Sequence, residues 1–240
     1  MRATQSGTDM QKITKNNSIY LSGGGDENQS SSLDEYFFNK LPDSGYFLYI
    51  PVALRGSDLY PTANLWLMKV LELHGRSDLK FEVADDLSIY KEADVKKFDA
   101  IYIGGGNTWS LMRELRDSGF SNHLTQYLET GGVVYGGSAG AIILGLRIDT
   151  HDDENLINYK DMSGLNFLSD FSISCHYKDE QSNRFKEWAE HNNSPIICLY
   201  EETGLMIENG LANCVGTKPC KIYHPDGSET EIKPTEFFKL

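Results

Sequence analysis

Short apolar runs at 18–22, 46–53, 81–84, 100–103, 132–135, 171–175 and 196–200 punctuate this chain, and the stretches between them carry a helical period. A strand buried on both faces reads as an unbroken apolar run, and helices between such strands supply the crossovers that parallel pairing requires. The pattern therefore predicts an α/β protein: a mostly parallel sheet covered by helices on both faces. Pro61 stands at a plausible helix start, with Leu65, Met68, Leu71 and Leu73 keeping period before Gly75 closes the segment. Further helices are expected at 108–116, 121–129, 139–144 and 179–191. The tail changes character. Glu208-Asn209-Gly210 and Pro225-Asp226-Gly227 are turn signals between short apolar runs, which predicts antiparallel strands appended at the C-terminus.

The chain has 240 residues, 40% of them hydrophobic and 24% charged, enough for a sizeable core; one domain over 18–240 is expected, preceded by a mobile leader over 1–17. The leader is polar and lacks the apolar segment of a signal peptide, and no apolar run approaches the length needed to span a bilayer. Cys175, Cys198, Cys214 and Cys220 show no metal or disulfide spacing, as expected in a reducing cytosol. The net charge of −13 would repel polyanions on average, so neither nucleic acid nor membrane is an expected partner.

Gly132-Val133-Val134-Tyr135 followed by Gly136-Gly137-Ser138-Ala139-Gly140 reads as strand, sharp turn and helix. A serine in such a turn is lifted to the rim of the sheet as a nucleophile, and the Ala139 amide points toward an oxyanion forming above it. The same glycines could also serve packing alone. A second loop, Gly104-Gly105-Gly106-Asn107-Thr108, follows the strand at 100–103 and could supply a second oxyanion donor, Gly106, or a phosphate cradle, although the Walker pattern is absent. Gly105 and Asn107 of this loop are expected to touch substrate; Asn107 or Thr108 could instead cap the next helix. Gly23-Gly24-Gly25 is a weaker nucleotide-like signal, without the G-x-G-x-x-G pattern.

The runs "YIGGGNTWSLMREL", "GGVVYGGSAGAIILG" and "SISCHYKDE", with "YLSGGGDE", "YIPVALRG" and "LYEETGLMIENG" in the same order, resemble the dipeptidase E and cyanophycinase family of serine peptidases. The resemblance covers most of the chain, from Ser18 to about Gly210. It implies a flavodoxin-like three-layer sandwich related to class I glutamine amidotransferases, with serine in place of their cysteine. It also implies His176 as the base and Glu201 as the acid orienting it, with Glu202, Asp152 or Asp153 as alternatives. His151 is the next candidate base; His74, His123, His191 and His224 lack supporting motifs.

The implied reaction is hydrolysis of a small peptide through an acyl-enzyme, with no metal or organic cofactor, by a monomer or homodimer. A substrate aspartate would need a cation, for which Arg184 and Arg55 are the candidates. Two other readings stay open: an esterase of the α/β-hydrolase class, and a non-catalytic amidotransferase-like binding protein. Cys175 beside His176 suggests a thiol nucleophile, but its apolar strand points to a buried structural cysteine.

Overall fold

The structure, a computed structural model, describes residues 17–240. The leader expected over 1–17 lies outside the described residues except for Asn17. The chain runs β1 (Ser18–Ser22), α1 (Ser31–Lys40), β2 (Tyr46–Ile50), α2 (Ala63–Leu73), β3 (Lys80–Val83), α3 (Glu92–Val95), β4 (Ala100–Ile103), α4 (Thr108–Asp117) and α5 (Phe120–Glu129). It continues through β5 (Val133–Gly137), α6 (Ala139–Ile142), β6 (Ser172–Ser174), α7 (Ser182–Asn192) and β7 (Ile196–Leu199). The tail is all strand: β8 (Thr203–Glu208), β9 (Leu211–Gly216), β10 (Cys220–Tyr223), β11 (Glu229–Ile232) and β12 (Phe237–Lys239).

The main sheet has the order β12-β9-β8-β1-β5-β4-β2-β3. Its strands β1, β5, β4, β2 and β3 are parallel, and β8, β9 and β12 add an antiparallel flank. This is the mixed α/β sandwich with a C-terminal antiparallel extension that the sequence pattern predicts. One detail differs. Strands β6 and β7 pair in parallel with each other but leave the main sheet, joining β10 and β11 in a second four-stranded sheet. An apolar run records that a strand is buried, not which neighbour it pairs with.

Alternation along the central strands gives the main sheet two chemically distinct faces. Ile19, Leu21, Leu48, Ile50, Ile101, Ile103 and Val134 belong to an aliphatic cluster with Leu111, Leu115, Leu124 and Leu128 of α4 and α5. The intervening Tyr20, Phe47, Tyr49, Tyr102 and Tyr135 pack with Phe37 and Phe38 of α1 and Leu67 and Val70 of α2. Both faces are apolar, so period-2 alternation is invisible to hydropathy and the strands read as continuous runs. The aliphatic cluster also holds Ile173, Ile197 and Ile222 of the second sheet.

Several boundaries moved for identifiable reasons. Pro51 ends β2 at Ile50, because its nitrogen has no proton for the ladder, and residues 52–54 form a 3-10 turn. Pro61 sits in a 3-10 turn, Tyr60–Thr62, and α2 begins only at Ala63. Helix α1 escaped the sequence reading: its Ser30-Ser31-Ser32 entry looks like loop, yet Leu33, Phe37 and Phe38 bury one face. Among the described residues no helix is long and apolar enough to cross a membrane.

Phe37 is fully buried and its ring centroid lies 5.5 Å from Tyr20, 5.1 Å from Tyr135 and 5.8 Å from Tyr102. Phe37→Ala should lower unfolding free energy by about 3–5 kcal/mol in urea titration. A loss below about 1 kcal/mol would mean that this aromatic layer does not anchor α1 to the sheet.

Candidate active site

The site forms where the carboxyl ends of β1, β4 and β5 open, the usual place for ligands on parallel sheets. Ser138 follows β5 with φ 48° and ψ −108°, a conformation that side-chain-bearing residues rarely adopt. Neighbouring backbone holds it there. Its amide donates to the Ser22 carbonyl at 3.1 Å, and its own carbonyl accepts from the amides of Ala141 (2.9 Å) and Ile142 (3.0 Å) at the start of α6.

The flanking glycines divide by role. A Cβ on Gly136 would stand 2.5 Å from the Gly140 carbonyl oxygen, and one on Gly140 would stand 2.3 Å from that of Ile103. Gly137 would meet nothing nearer than 3.7 Å. The outer glycines of G-x-S-x-G are therefore steric requirements of the turn and of its seat on β4.

His176 follows β6, also with a positive φ of 54°. Its amide donates to the Gly23 carbonyl at 2.9 Å. The ring Nε2 lies 2.7 Å from Ser138 Oγ, and Nδ1 lies 2.9 Å from Glu201 Oε1. A carboxylate accepts only, so Nδ1 carries the proton and Nε2 is left to accept from the serine hydroxyl. The His176 hydrogen bond, joined by one from Gln29, holds the Glu201 carboxyl below its usual range against the opposing effect of desolvation. Gln29 Nε2 donates to Glu201 Oε2 at 2.9 Å, while its Oε1 accepts from the Asp26 amide at 2.9 Å.

Gln29 was missed by the sequence reading, since a lone amide in a polar loop carries no signal. The Gly23-Gly24-Gly25 run has a different use from nucleotide binding: a Cβ on Gly24 (φ 103°) would fall 2.2 Å from His176 Cε1, so the imidazole packs directly on that backbone.

The alternative acids engage other partners, although Asp152 and Asp153 line the same cavity. Glu202 pairs with Lys218 at 3.3 Å. Asp152 pairs with Arg184 at 2.6 Å. Asp153 accepts from the Thr108 amide at 2.6 Å and lies 3.2 Å from His151 Nδ1, while burial lowers the pKa of that imidazole. The other histidines, His74, His123, His191 and His224, do not line the cavity around Ser138.

Gly105 adjoins the serine: a Cβ there would stand 3.2 Å from Ser138 Cβ. Gly106 lines the same cavity with φ 132°, and a Cβ on it would strike the Ala53 carbonyl. Neither glycine amide has a backbone acceptor among the described residues. Ala139 opens α6, where the first amides lack intrahelical partners.

Asn107 departs from the expectation that it touches substrate. Its Oδ1 caps α4 through the Ser110 amide and its Nδ2 donates to the Glu154 carbonyl, so it does not line the cavity. Arg184 does line it. Arg55 is paired with Glu114 at 3.0 Å and is not part of the wall.

Cys175 is half-buried rather than buried; its Sγ donates weakly to the carbonyls of Ser22 (3.5 Å) and Ser138 (3.6 Å). Desolvation pushes its thiol pKa far up. The surrounding cavity measures about 700 Å³. Among the described residues no group of three or more His, Cys, Asp or Glu side chains is placed to hold a metal ion.

The model of peptidase family S51 matches residues 10–215. A Drosophila melanogaster protein named "probable alpha-aspartyl dipeptidase" is 26% identical over 204 residues, covering 78% of this chain and 79% of the relative. A peptidase E of Shewanella denitrificans is 28% identical over 200 residues, covering 78% and 80%. In fold, the chain is similar to the crystal structure of a peptidase from an acI-B1 Actinobacterium, with TM-score 0.67, 21% identity and coverage of 93% of this chain and 97% of that one.

A thiol held protonated at neutral pH is a poor nucleophile. Iodoacetamide at pH 7.5 should leave Cys175 unmodified in the native protein over a time in which the urea-unfolded chain is alkylated. Rapid native labelling at Cys175 would contradict the desolvated setting.

Proposed function

Since the chain belongs to peptidase family S51, we propose that it is a serine-type dipeptidase that hydrolyses small peptides through an acyl-enzyme. One observation carries this reading: the unbroken hydrogen-bond chain Ser138 Oγ–His176–Glu201, with links of 2.7 and 2.9 Å. Ser138 Oγ attacks the scissile carbonyl carbon while His176 Nε2 takes the hydroxyl proton. The carbonyl oxygen becomes an oxyanion received by the amides of Ala139 and Gly106. Collapse breaks the C–N bond, and His176 returns its proton to the departing amine. Water then attacks the acyl carbon, with His176 as base again, and Ser138 is released. Glu201 stabilises the imidazolium formed in both halves, and Gln29 fixes the carboxylate.

The name of the Drosophila melanogaster relative, "probable alpha-aspartyl dipeptidase", motivates an aspartyl preference at the first residue. Arg184 is its natural partner, since it lines the cavity. Its guanidinium is bridged to the exposed Asp152 carboxylate, so an incoming aspartyl side chain would displace that internal anion. The chain is read as one peptidase domain over 18–240, acting as a monomer or homodimer. Four unpaired cysteines suit a reducing compartment such as the cytosol. No observation favours the α/β-hydrolase esterase or the non-catalytic binding protein.

Ser138→Ala should lower kcat on a cleaved dipeptide by about a millionfold, and Glu201→Gln by about a hundredfold to ten-thousandfold, with KM little altered. Residual activity of Ser138→Ala within tenfold of the parent would end the serine assignment. Arg184→Gln should remove any preference for Asp-Ala over Asn-Ala; an unchanged ratio would reject the arginine's role.

A further inference from the structure

The chemistry just described uses one side of the cavity and leaves a large wall without a role. That wall is built by Tyr49 of β2, Leu54 and Leu59 of the segment before α2, Trp66 of α2 and Tyr102 of β4. It begins at the glycine loop beside the nucleophile: a Cβ on Gly104 would sit 3.5 Å from Tyr49 Cε2 and 3.6 Å from its hydroxyl oxygen. Behind the wall the rings brace one another. Tyr102 stacks on Tyr135 at 4.2 Å and 12°, and meets Tyr49 (5.6 Å) and Trp66 (6.4 Å) edge to face. Tyr49 and Tyr102 are 1% and 3% exposed, so their positions are fixed by packing before any ligand arrives, whereas Leu59, 64% exposed, stands at the mouth.

The charge distribution separates the two sides. Among the described residues, every carboxylate, guanidinium or imidazole lining the cavity comes from elsewhere in the chain: His151, Asp152 and Asp153 after α6, His176 after β6 and Arg184 on α7. An ionic side chain pressed against the tyrosine, leucine and tryptophan wall would lose hydration, and the carboxylate that Trp66 hydrogen-bonds, Glu27, is already paired with Lys69. An aromatic or branched apolar side chain would instead exchange water for ring faces already in place. The Tyr49 hydroxyl, which makes no side-chain hydrogen bond among the described residues, can meet a polar atom of the same ligand.

We propose that this wall is the subsite for the second residue of the dipeptide and selects a bulky apolar, above all aromatic, side chain there. The assignment rests on the serine-dipeptidase reading, in which the Arg184 side receives the first residue. The leaving amino acid would thus lie across the Gly104–Gly106 loop, with its side chain against Trp66 and Tyr102.

The test is calorimetric titration of Ser138→Ala protein with Ala-Phe, Phe-Ala, Ala-Ala and Ala-Asp. Ala-Phe should bind about tenfold or more tighter than Ala-Ala, and Ala-Asp no tighter than Ala-Ala. Adding Trp66→Ala should abolish the Ala-Phe advantage. Leu59→Ser, at an exposed position that the fold does not depend on, should reduce it by about twofold to threefold.

Equal binding of Ala-Phe and Ala-Ala, no measurable binding of Ala-Phe, tighter binding of Phe-Ala, or an advantage that survives Trp66→Ala in protein with unchanged circular dichroism would each overturn the proposal. Hydrolysis of the same peptides by the unaltered protein separates the two readings. Cleavage without a Phe preference sinks the subsite alone, and Trp66-dependent Phe selectivity without cleavage sinks the serine mechanism alone.

Discussion

The site depends on a backbone conformation that Ser138 would not adopt by itself. At φ 48° and ψ −108° the serine is strained, and strain of this kind persists only where the surroundings over-determine it. Here they do so from two strands and a helix. The Ser22 carbonyl on β1 takes the serine amide, and the α6 amides take its carbonyl. The two outer glycines let the turn close onto β4 without a Cβ in the way. Loss of any of these would let the turn relax and carry the hydroxyl away from the imidazole. The strained turn is therefore a consequence of the whole parallel sheet.

The rest of the site repeats this device. Each of three strands ends in glycine-permitted backbone, and each such loop comes close to one working group. The loop after β1 lies beneath His176, the loop after β4 lies beside Ser138, and β5 runs into the serine itself. The second sheet brings in the remaining parts, because β6 leads to His176 and β7 leads to Glu201. The Ser138–His176–Glu201 hydrogen-bond chain thus spans the junction of two sheets, which share one aliphatic cluster. The aromatic face of the main sheet emerges at the same rim and forms the uncharged wall of the cavity.

Much of this was legible in the sequence. The continuous apolar runs gave the central strands because both faces of that sheet are covered. The strand-turn-helix with small flanks pointed to Ser138 and the family resemblance pointed to His176 and Glu201, three side chains that the structure joins in one hydrogen-bond chain. What stayed hidden depends on tertiary partners. Glu201 and Glu202 are indistinguishable as letters; one turns to His176 and the other to Lys218 only because of the bend after β7. Gln29 matters through a contact 172 residues away. For Asn107 the sequence left substrate contact and helix capping both open, and the structure shows it capping α4. The Gly24 requirement arises from a ring that the local sequence does not contain.

The central claim is that Ser138 is a nucleophile already aligned with an imidazole and with main-chain donors. A crystal structure of the protein after reaction with a fluorophosphonate tests it most directly. The account predicts phosphorus bonded to Ser138 Oγ, a phosphoryl oxygen within hydrogen-bond reach of the Ala139 amide and of the Gly105-Gly106 loop, and His176 still bonded to Glu201. Phosphorus on another side chain, or a Ser138 hydroxyl left unmodified while the reagent is consumed, would contradict it.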